Sequence, residues 1–270
     1  MSVHREQRGV TVTTLKRLKR EGEKIACLTA YDASFAAVLD RSGVDVILVG
    51  DSLGMVIQGF DTTVPVTVDD VIYHARAVAR GSRRAFRVAD MPFMSYTNHT
   101  QALSNAARLM QEGRAQMVKL EGGETQAGIV RELSAHGIPV CAHLGLQPQA
   151  VHKLGGYHVQ GKEAAAAAKM REAAAAVEAA GAELLLLECV PAALAAEISA
   201  TARIPVIGIG AGNECDGQIL VLHDLLGVSV DRTPRFTRNF LTGAHGIADA
   251  VSQYVRAVKD KTFPAAEHSF

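Results

Sequence analysis

Short runs of aliphatic and β-branched residues recur along this chain, separated by longer stretches in which apolar positions return every three or four residues. The first pattern reads as a strand buried on both faces, the second as a helix with one face on a core. KIACLTA, VDVILVG, AFRVADM, AQMVKLEG, IPVCAHLG, AELLLLE and IPVIGIG are predicted strands, and GQILVLHD is an eighth with a weaker pattern. Helices fill the intervals. Thr14 is predicted to cap a short basic helix over about 14–21, Asp32 opens another, and Thr67-x-x-Asp70 has the form of a capping box. Further helices are expected over about 100–112, up to Gly137, over the alanine-rich 163–180, after Pro191, and over about 238–259. Most stop at a glycine, as the left-handed C-cap favours. Strand and helix in alternation predict βαβ units and a parallel sheet. Eight such units without a linker-like break predict one closed (β/α)₈ TIM barrel over 1–270, with an N-terminal helix and a tail at about 262–270. An open doubly wound sheet is the second choice, but its G-x-G-x-x-G fingerprint does not follow the first strand.

Composition narrows the function more than the fold. The length of 270 residues is close to the roughly 250 typical of such a barrel. Lysine plus arginine and aspartate plus glutamate each total 28, so the net charge is zero, and nucleic acid and anionic membrane are poor partners. The alanine-rich stretch keeps a solvated side through Lys169, Arg171, Glu172 and Glu178, so it reads as an ordinary helix. Cys27, Cys141, Cys189 and Cys215 form no CxxC pair and are expected to be small buried hydrophobes in a reducing compartment. With no apolar leader and no long apolar run, the expected location is the cytoplasm.

In a parallel barrel the active site lies at the C-terminal ends of the strands. The polar residues that end otherwise apolar strands are Asp51 and Ser52, Asp90, Lys119 and Glu121, His143, and Glu188. An aspartate after a strand is often only a helix N-cap, yet the loops after Asp51 and Asp90 run too long for that role. Lys119 and Glu121 share strand parity, which leaves a structural ion pair and a functional role equally open. Asp51, Asp90 and Glu121 are hard oxygen donors from consecutive strands and suit Mg²⁺ or a similar divalent ion, whereas zinc would recruit more histidine or cysteine. His143 reads as a supporting, hydrogen-bonded residue as readily as a catalytic one. Glu188 closes a run of four leucines, an apolar approach that suits a general base. GIGAGNECDGQ is either a phosphate-binding loop or a turn that lets backbone pack closely. His74, His99, His136 and His223 read as surface or helix-packing residues.

The motifs VGDSLGMVIQGFDTTVPVTVDD, ADMPFMSY, MVKLEGG, HLGLQPQ, GGYHVQG, LLLLECVP and IGIGAGNECDGQILVLHD follow one another in order. Together they closely resemble the ketopantoate hydroxymethyltransferase family, over about residues 14–263. The resemblance implies a barrel of the phosphoenolpyruvate/pyruvate type. It also implies transfer of a one-carbon unit from 5,10-methylenetetrahydrofolate to 3-methyl-2-oxobutanoate, giving 2-dehydropantoate on the route to pantothenate and coenzyme A. Carried over by motif, it implies metal binding by Asp51, Asp90 and Glu121, one Mg²⁺ per subunit, and substrate contacts by Asp51, Ser52, Asp90 and Lys119. Glu188 falls on the family's proton acceptor, and a homo-oligomer, a homodecamer, is implied. Phe60 stands where histidine is expected, and the helix after GGYHVQG is unusually alanine-rich; both departures bear only on loop packing and on surface behaviour. The competing readings are another Mg²⁺-dependent carbon–carbon lyase or phosphonomutase of the same barrel superfamily, and a non-catalytic barrel holding a phosphorylated metabolite.

Overall fold

Eight parallel strands pair in sequence order and close into a barrel, the last strand bonding the first. The structure, a computed structural model, describes residues 9–229 and 233–270; residues 1–8 and 230–232 of the expected 1–270 span lie outside the described residues. The strands are β1 (Ile25–Thr29), β2 (Val46–Val49), β3 (Phe86–Asp90), β4 (Met117–Glu121), β5 (Val140–Gly145), β6 (Leu184–Glu188), β7 (Val206–Ile209) and β8 (Gly217–Leu220). The helices are α1 (Val12–Glu21), α2 (Ala33–Arg41), α3 (Leu53–Val56), α4 (Val68–Gly81), α5 (His99–Gln111), α6 (Ala127–Ala135), α7 (Val151–Leu154), α8 (Ala164–Ala179), α9 (Ala192–Thr201), α10 (Leu222–Leu226) and α11 (Ile247–Lys259).

Most helix starts follow the local chemistry of the sequence. Asp32 accepts from the Phe35 amide, and Thr67 and Asp70 form the reciprocal capping box. Three expectations are corrected. The cap of α1 is Thr11, whose Oγ1 accepts from the amide of Thr14, so the helix starts earlier. The last helix begins at Ile247, not near 238. There Asn239 Oδ1 accepts from the amides of Leu241 and Thr242, a local turn that competes with helix, and Gly246 adopts φ 149°. GQILVLHD splits into β8 and the start of α10, which places His223 and Asp224 on a helix. The loops after β2 and β5 carry the short helices α3 and α7.

The seam between β1 and β8 is sealed from outside. Tyr254 of α11 is fully buried, and its Oη lies 2.8 Å from the carbonyl of Cys27 and 2.9 Å from that of Gln218. At the N-terminal end of the barrel, Asp45 is 2% exposed and fastens three elements. It accepts from the Ala26 amide (3.1 Å), from Arg84 Nη2 (2.7 Å) and from Lys259 Nζ (2.5 Å). All four cysteines are free and buried. Among the described residues no helix is long and apolar enough to cross a membrane.

Removing Asp45 leaves Arg84 and Lys259 facing a buried gap, so Asp45→Ala is expected to cost about 3 kcal/mol, less than the most severe broken pairs because both cations reach solvent. Urea unfolding measures this, and an unchanged midpoint would remove Asp45 as a fastening point.

Candidate active site

Strand register brings the strand-end residues side by side. Asp90 pairs with Lys119, Glu121 with His143, and Gly145 with Glu188, while Asp51 follows β2. All seven residues singled out in the sequence line one cavity of about 630 Å³ at the C-terminal mouth of the barrel. Asp51, Asp90, Lys119, Glu121 and His143 are each at least 95% buried.

Such burial is tolerable only with mutual compensation. Lys119 Nζ lies 2.9 Å from Asp90 Oδ1 and 4.0 Å from Glu121 Oε1. Burial works against its charge, but Asp90, Glu121 and Asp51 outweigh it and raise the ammonium above its ordinary range. His143 bridges two acids: Nδ1 is 3.4 Å from Glu121 Oε1, and Nε2 is 3.2 Å from Glu188 Oε2. Burial and Lys119, 3.3 Å from Nδ1, pull the imidazole down, yet the two carboxylates prevail and it is pushed up to about 9. Burial would also raise Glu121, but the close approach of His143, 3.4 Å from its Oε1, and the charge of Lys119 hold it below the usual carboxylate range. Asp51 has less relief. Burial first, then Asp90 and Glu121, push its carboxyl well above that range.

This surplus of buried acid is the test of whether a divalent cation fits. Asp90 Oδ2 accepts from the amide of Asp51 at 2.8 Å, which draws the two side chains together. Asp90 Oδ1, though an ion-pair neighbour of Lys119, and Glu121 Oε1 make no aligned hydrogen bond. Among the described residues no three His, Cys, Asp or Glu side chains are grouped to hold a metal unaided. Mg²⁺ does not require that, since one or two carboxylates with water and substrate oxygens complete its shell. The donor set therefore suits a hard cation that shares its shell with a ligand.

Gln149 was not singled out from the sequence, yet it is 6% exposed and fully engaged. Its Nε2 donates to Asp51 Oδ2 (2.7 Å) and to the Met91 carbonyl (3.0 Å), and its Oε1 accepts from Tyr96 Oη (2.6 Å). Its amide donates to Glu121 Oε2 (3.1 Å). The signal available beforehand was a second amide side chain directly after Pro148, close behind the strand that carries His143. Tyr31 is a second addition, its hydroxyl 2.8 Å from Ser52 Oγ, with His74 Nδ1 2.7 Å from the Tyr31 carbonyl.

The backbone around Glu188 is closely constrained. A Cβ on Gly145, at φ 89°, would lie 2.2 Å from the Glu188 carbonyl oxygen, which accepts from the Leu146 amide. Cys189, the next residue, holds φ 49°, an uncommon conformation for a residue with a side chain. The glycines of GIGAG are filled rather than open. Cβ atoms on Gly208, Gly210 and Gly212 would meet Cys215, Phe236 and Ala192 within 3.0 Å, so this turn packs side chains and makes no phosphate cradle. Phe60 is exposed and lies outside the cavity lining.

Comparison with known proteins agrees with this geometry. The sequence profile of the family described as ketopantoate hydroxymethyltransferase matches residues 9–266. A 3-methyl-2-oxobutanoate hydroxymethyltransferase of Halorhodospira halophila is 59% identical over 99% of this chain and 97% of its own length. That of Alkalilimnicola ehrlichii is 62% identical over 98% and 95%. Among solved structures, phosphonopyruvate hydrolase with oxalate and Mg²⁺ superimposes with TM-score 0.62 at 13% identity, covering 81% of this chain and 83% of that one. Oxaloacetate acetylhydrolase with 3,3-difluorooxalacetate gives 0.61 at 16% identity, covering 94% and 98%. At such identities the two structures speak to the fold alone, a (β/α)₈ barrel. With residues 9–266 matched and its strand-end acids gathered around one buried lysine, the chain belongs to the ketopantoate hydroxymethyltransferase family.

Proposed function

We propose that this enzyme transfers a hydroxymethyl unit from 5,10-methylenetetrahydrofolate to 3-methyl-2-oxobutanoate and so forms 2-dehydropantoate, the first step toward pantothenate. Besides family membership, the observation that carries the reading is the convergence of Asp51, Asp90, Glu121 and Glu188 on the cavity that holds Lys119. Asp51, Asp90 and Glu121, directly or through water, would hold Mg²⁺, which when bound supplies a Lewis acid for the oxygens of a 2-oxo acid.

The chain's own residues account for the other steps. Lys119 sets a fixed positive charge beside the substrate carboxylate and keto oxygen, in a water-poor site where such charges act strongly. Ser52, oriented by Tyr31, donates to the carboxylate. Glu188 receives the proton lost from C3, with His143 Nε2 3.2 Å from its Oε2 as the neighbouring cationic group. The C3 carbanion forms the new carbon–carbon bond to the one-carbon unit, whose two carbon–nitrogen bonds to the folate are broken. Water supplies the oxygen of the new hydroxyl, and the protons of water and of C3 end on that hydroxyl and on the two nitrogens of the released tetrahydrofolate. The Leu186, Ile209 and Ile219 side chains on the cavity wall give the isopropyl group an apolar seat. The buried free thiols fit a cytoplasmic enzyme, and a homodecameric assembly is part of the same proposal.

A coupled assay with methylenetetrahydrofolate, 3-methyl-2-oxobutanoate and Mg²⁺ is expected to yield 2-dehydropantoate; absence of turnover would overturn the reading. Without folate, the enzyme with Mg²⁺ should exchange the C3 proton of 3-methyl-2-oxobutanoate in D₂O. Exchange at the wild-type rate in Glu188→Ala would remove Glu188 as the base. Asp90→Ala is expected to weaken Mg²⁺ binding by calorimetry, and full affinity would contradict its assignment as a ligand. Gln149→Ala should lower kcat by about 10–100-fold, the usual cost of losing a residue that orients metal-site acids; an unchanged kcat would reduce Gln149 to packing.

A further inference from the structure

The cavity has a second half that the chemistry of a small 2-oxo acid does not use. At about 630 Å³ it falls within the roughly 300–1,000 Å³ of sites that enclose drug-sized ligands, whereas 3-methyl-2-oxobutanoate has only a five-carbon skeleton. The acids, Lys119 and His143 occupy the arc from β2 to β6. β8 stands across the closed barrel from β4, and beyond it the lining changes character to Leu220, Val221, Asp224, Arg235, Phe236 and Phe270.

Asp224 is the carboxylate of this arc, and it takes no part in the cluster around Lys119. Ser229 Oγ donates to its Oδ1 at 2.5 Å, which fixes the carboxylate, while its Oδ2 has no hydrogen bond among the described residues. Burial raises its carboxyl above the ordinary value, with Ser229 and His223 opposing. Two rings, Phe236 and Phe270, line the same cavity. Gly210, at φ 60°, keeps the backbone bare beneath them: a Cβ there would lie 2.9 Å from Phe236 Cδ1 and 3.0 Å from Phe270 Cε2. Phe270 is held in place by its carbonyl, which accepts from the Ala192 amide at 2.8 Å. Arg235 places its guanidinium 5.5 Å from the Phe270 ring centre and donates from Nε to the Glu267 carbonyl.

A single carboxylate beside a ring-lined wall is complementary to a flat heterocycle that presents an amino group next to a ring N–H. Those two donors match the two oxygens of a carboxylate, and the flat face packs on aromatic rings. We propose that this half of the cavity seats the reduced pterin ring of the one-carbon donor, with Asp224 accepting from its amino-pyrimidinone edge and Phe236 and Phe270 packing against the ring system. The assignment rests on the hydroxymethyltransferase reading above. It also gives the glycines of GIGAG a use: they admit aromatic side chains into the donor's wall.

The test is calorimetric binding of tetrahydrofolate to the wild-type enzyme and to Asp224→Asn, Asp224→Ala and Phe270→Ala, with thermal unfolding to confirm that each variant is folded. Loss of a charge-assisted pair is expected to weaken tetrahydrofolate by about tenfold or more in both Asp224 variants. The same variants should raise KM for methylenetetrahydrofolate and leave the KM for 3-methyl-2-oxobutanoate unchanged. 6-Methyltetrahydropterin, which lacks the donor's tail, should compete with tetrahydrofolate for the wild-type enzyme. Folded Asp224 variants with wild-type affinity for tetrahydrofolate, or an equal loss for both substrates, would overturn the subsite while wild-type turnover kept the enzyme's function. A wild-type enzyme that neither binds tetrahydrofolate nor turns over would overturn both.

Discussion

The mouth of this barrel is organised around one buried ammonium. Isolated, the Lys119 side chain would be too expensive to keep charged inside an apolar cylinder, because effective desolvation costs several kcal/mol per ion. It is kept by Asp90 at 2.9 Å and by Glu121 on its own strand. Those acids are in turn tolerable because Lys119 and His143 answer them. Asp51 is the member left with least compensation, and its raised carboxyl marks where the cluster still lacks positive charge. The apolar layers beneath can therefore be ordinary, since the electrostatic problem is confined to strand ends.

Much of this was legible in the sequence for definite reasons. Two-sided burial makes each strand a continuous apolar run, so a charged residue at its end stands out, and strand order alone then brings β2 to β6 into one arc. Asp51, Asp90, Lys119, Glu121, His143 and Glu188 were found by that logic, and all face the same cavity. Gln149 was not, because its importance lies in partners as far away in sequence as Asp51, and nothing local distinguishes a buried amide from a loop residue. Asp224 was hidden differently. The run LVLHDLL satisfies strand and helix periods alike, and only the end of β8 at Leu220 shows that the aspartate belongs to a helix beyond it. The late start of α11 was obscured by helix-compatible apolar spacing, which the Asn239 turn overrides.

Gln149 also shows how a loop residue acquires the precision of a strand residue. Three side-chain hydrogen bonds and one from its amide tie it to the segments after β2 and β3 and to the last residue of β4. A loop anchored at its base in this way can vary in its outer part, toward Tyr157, without disturbing the acids. This separates the demands of chemistry from those of substrate access.

The seam held by Tyr254 has a consequence for the nascent chain. β1 emerges well before its second neighbour, β8, and before the helix that covers the junction. Until then β1 presents a strand edge with unmatched backbone groups, the kind of surface that pairs with other chains. The residues of the acid cluster are all synthesised well before the cylinder can close. Interruption of synthesis between β6 and α11 thus yields a chain that contains every charged group of the cluster but lacks the partner strand that would shield its open flank.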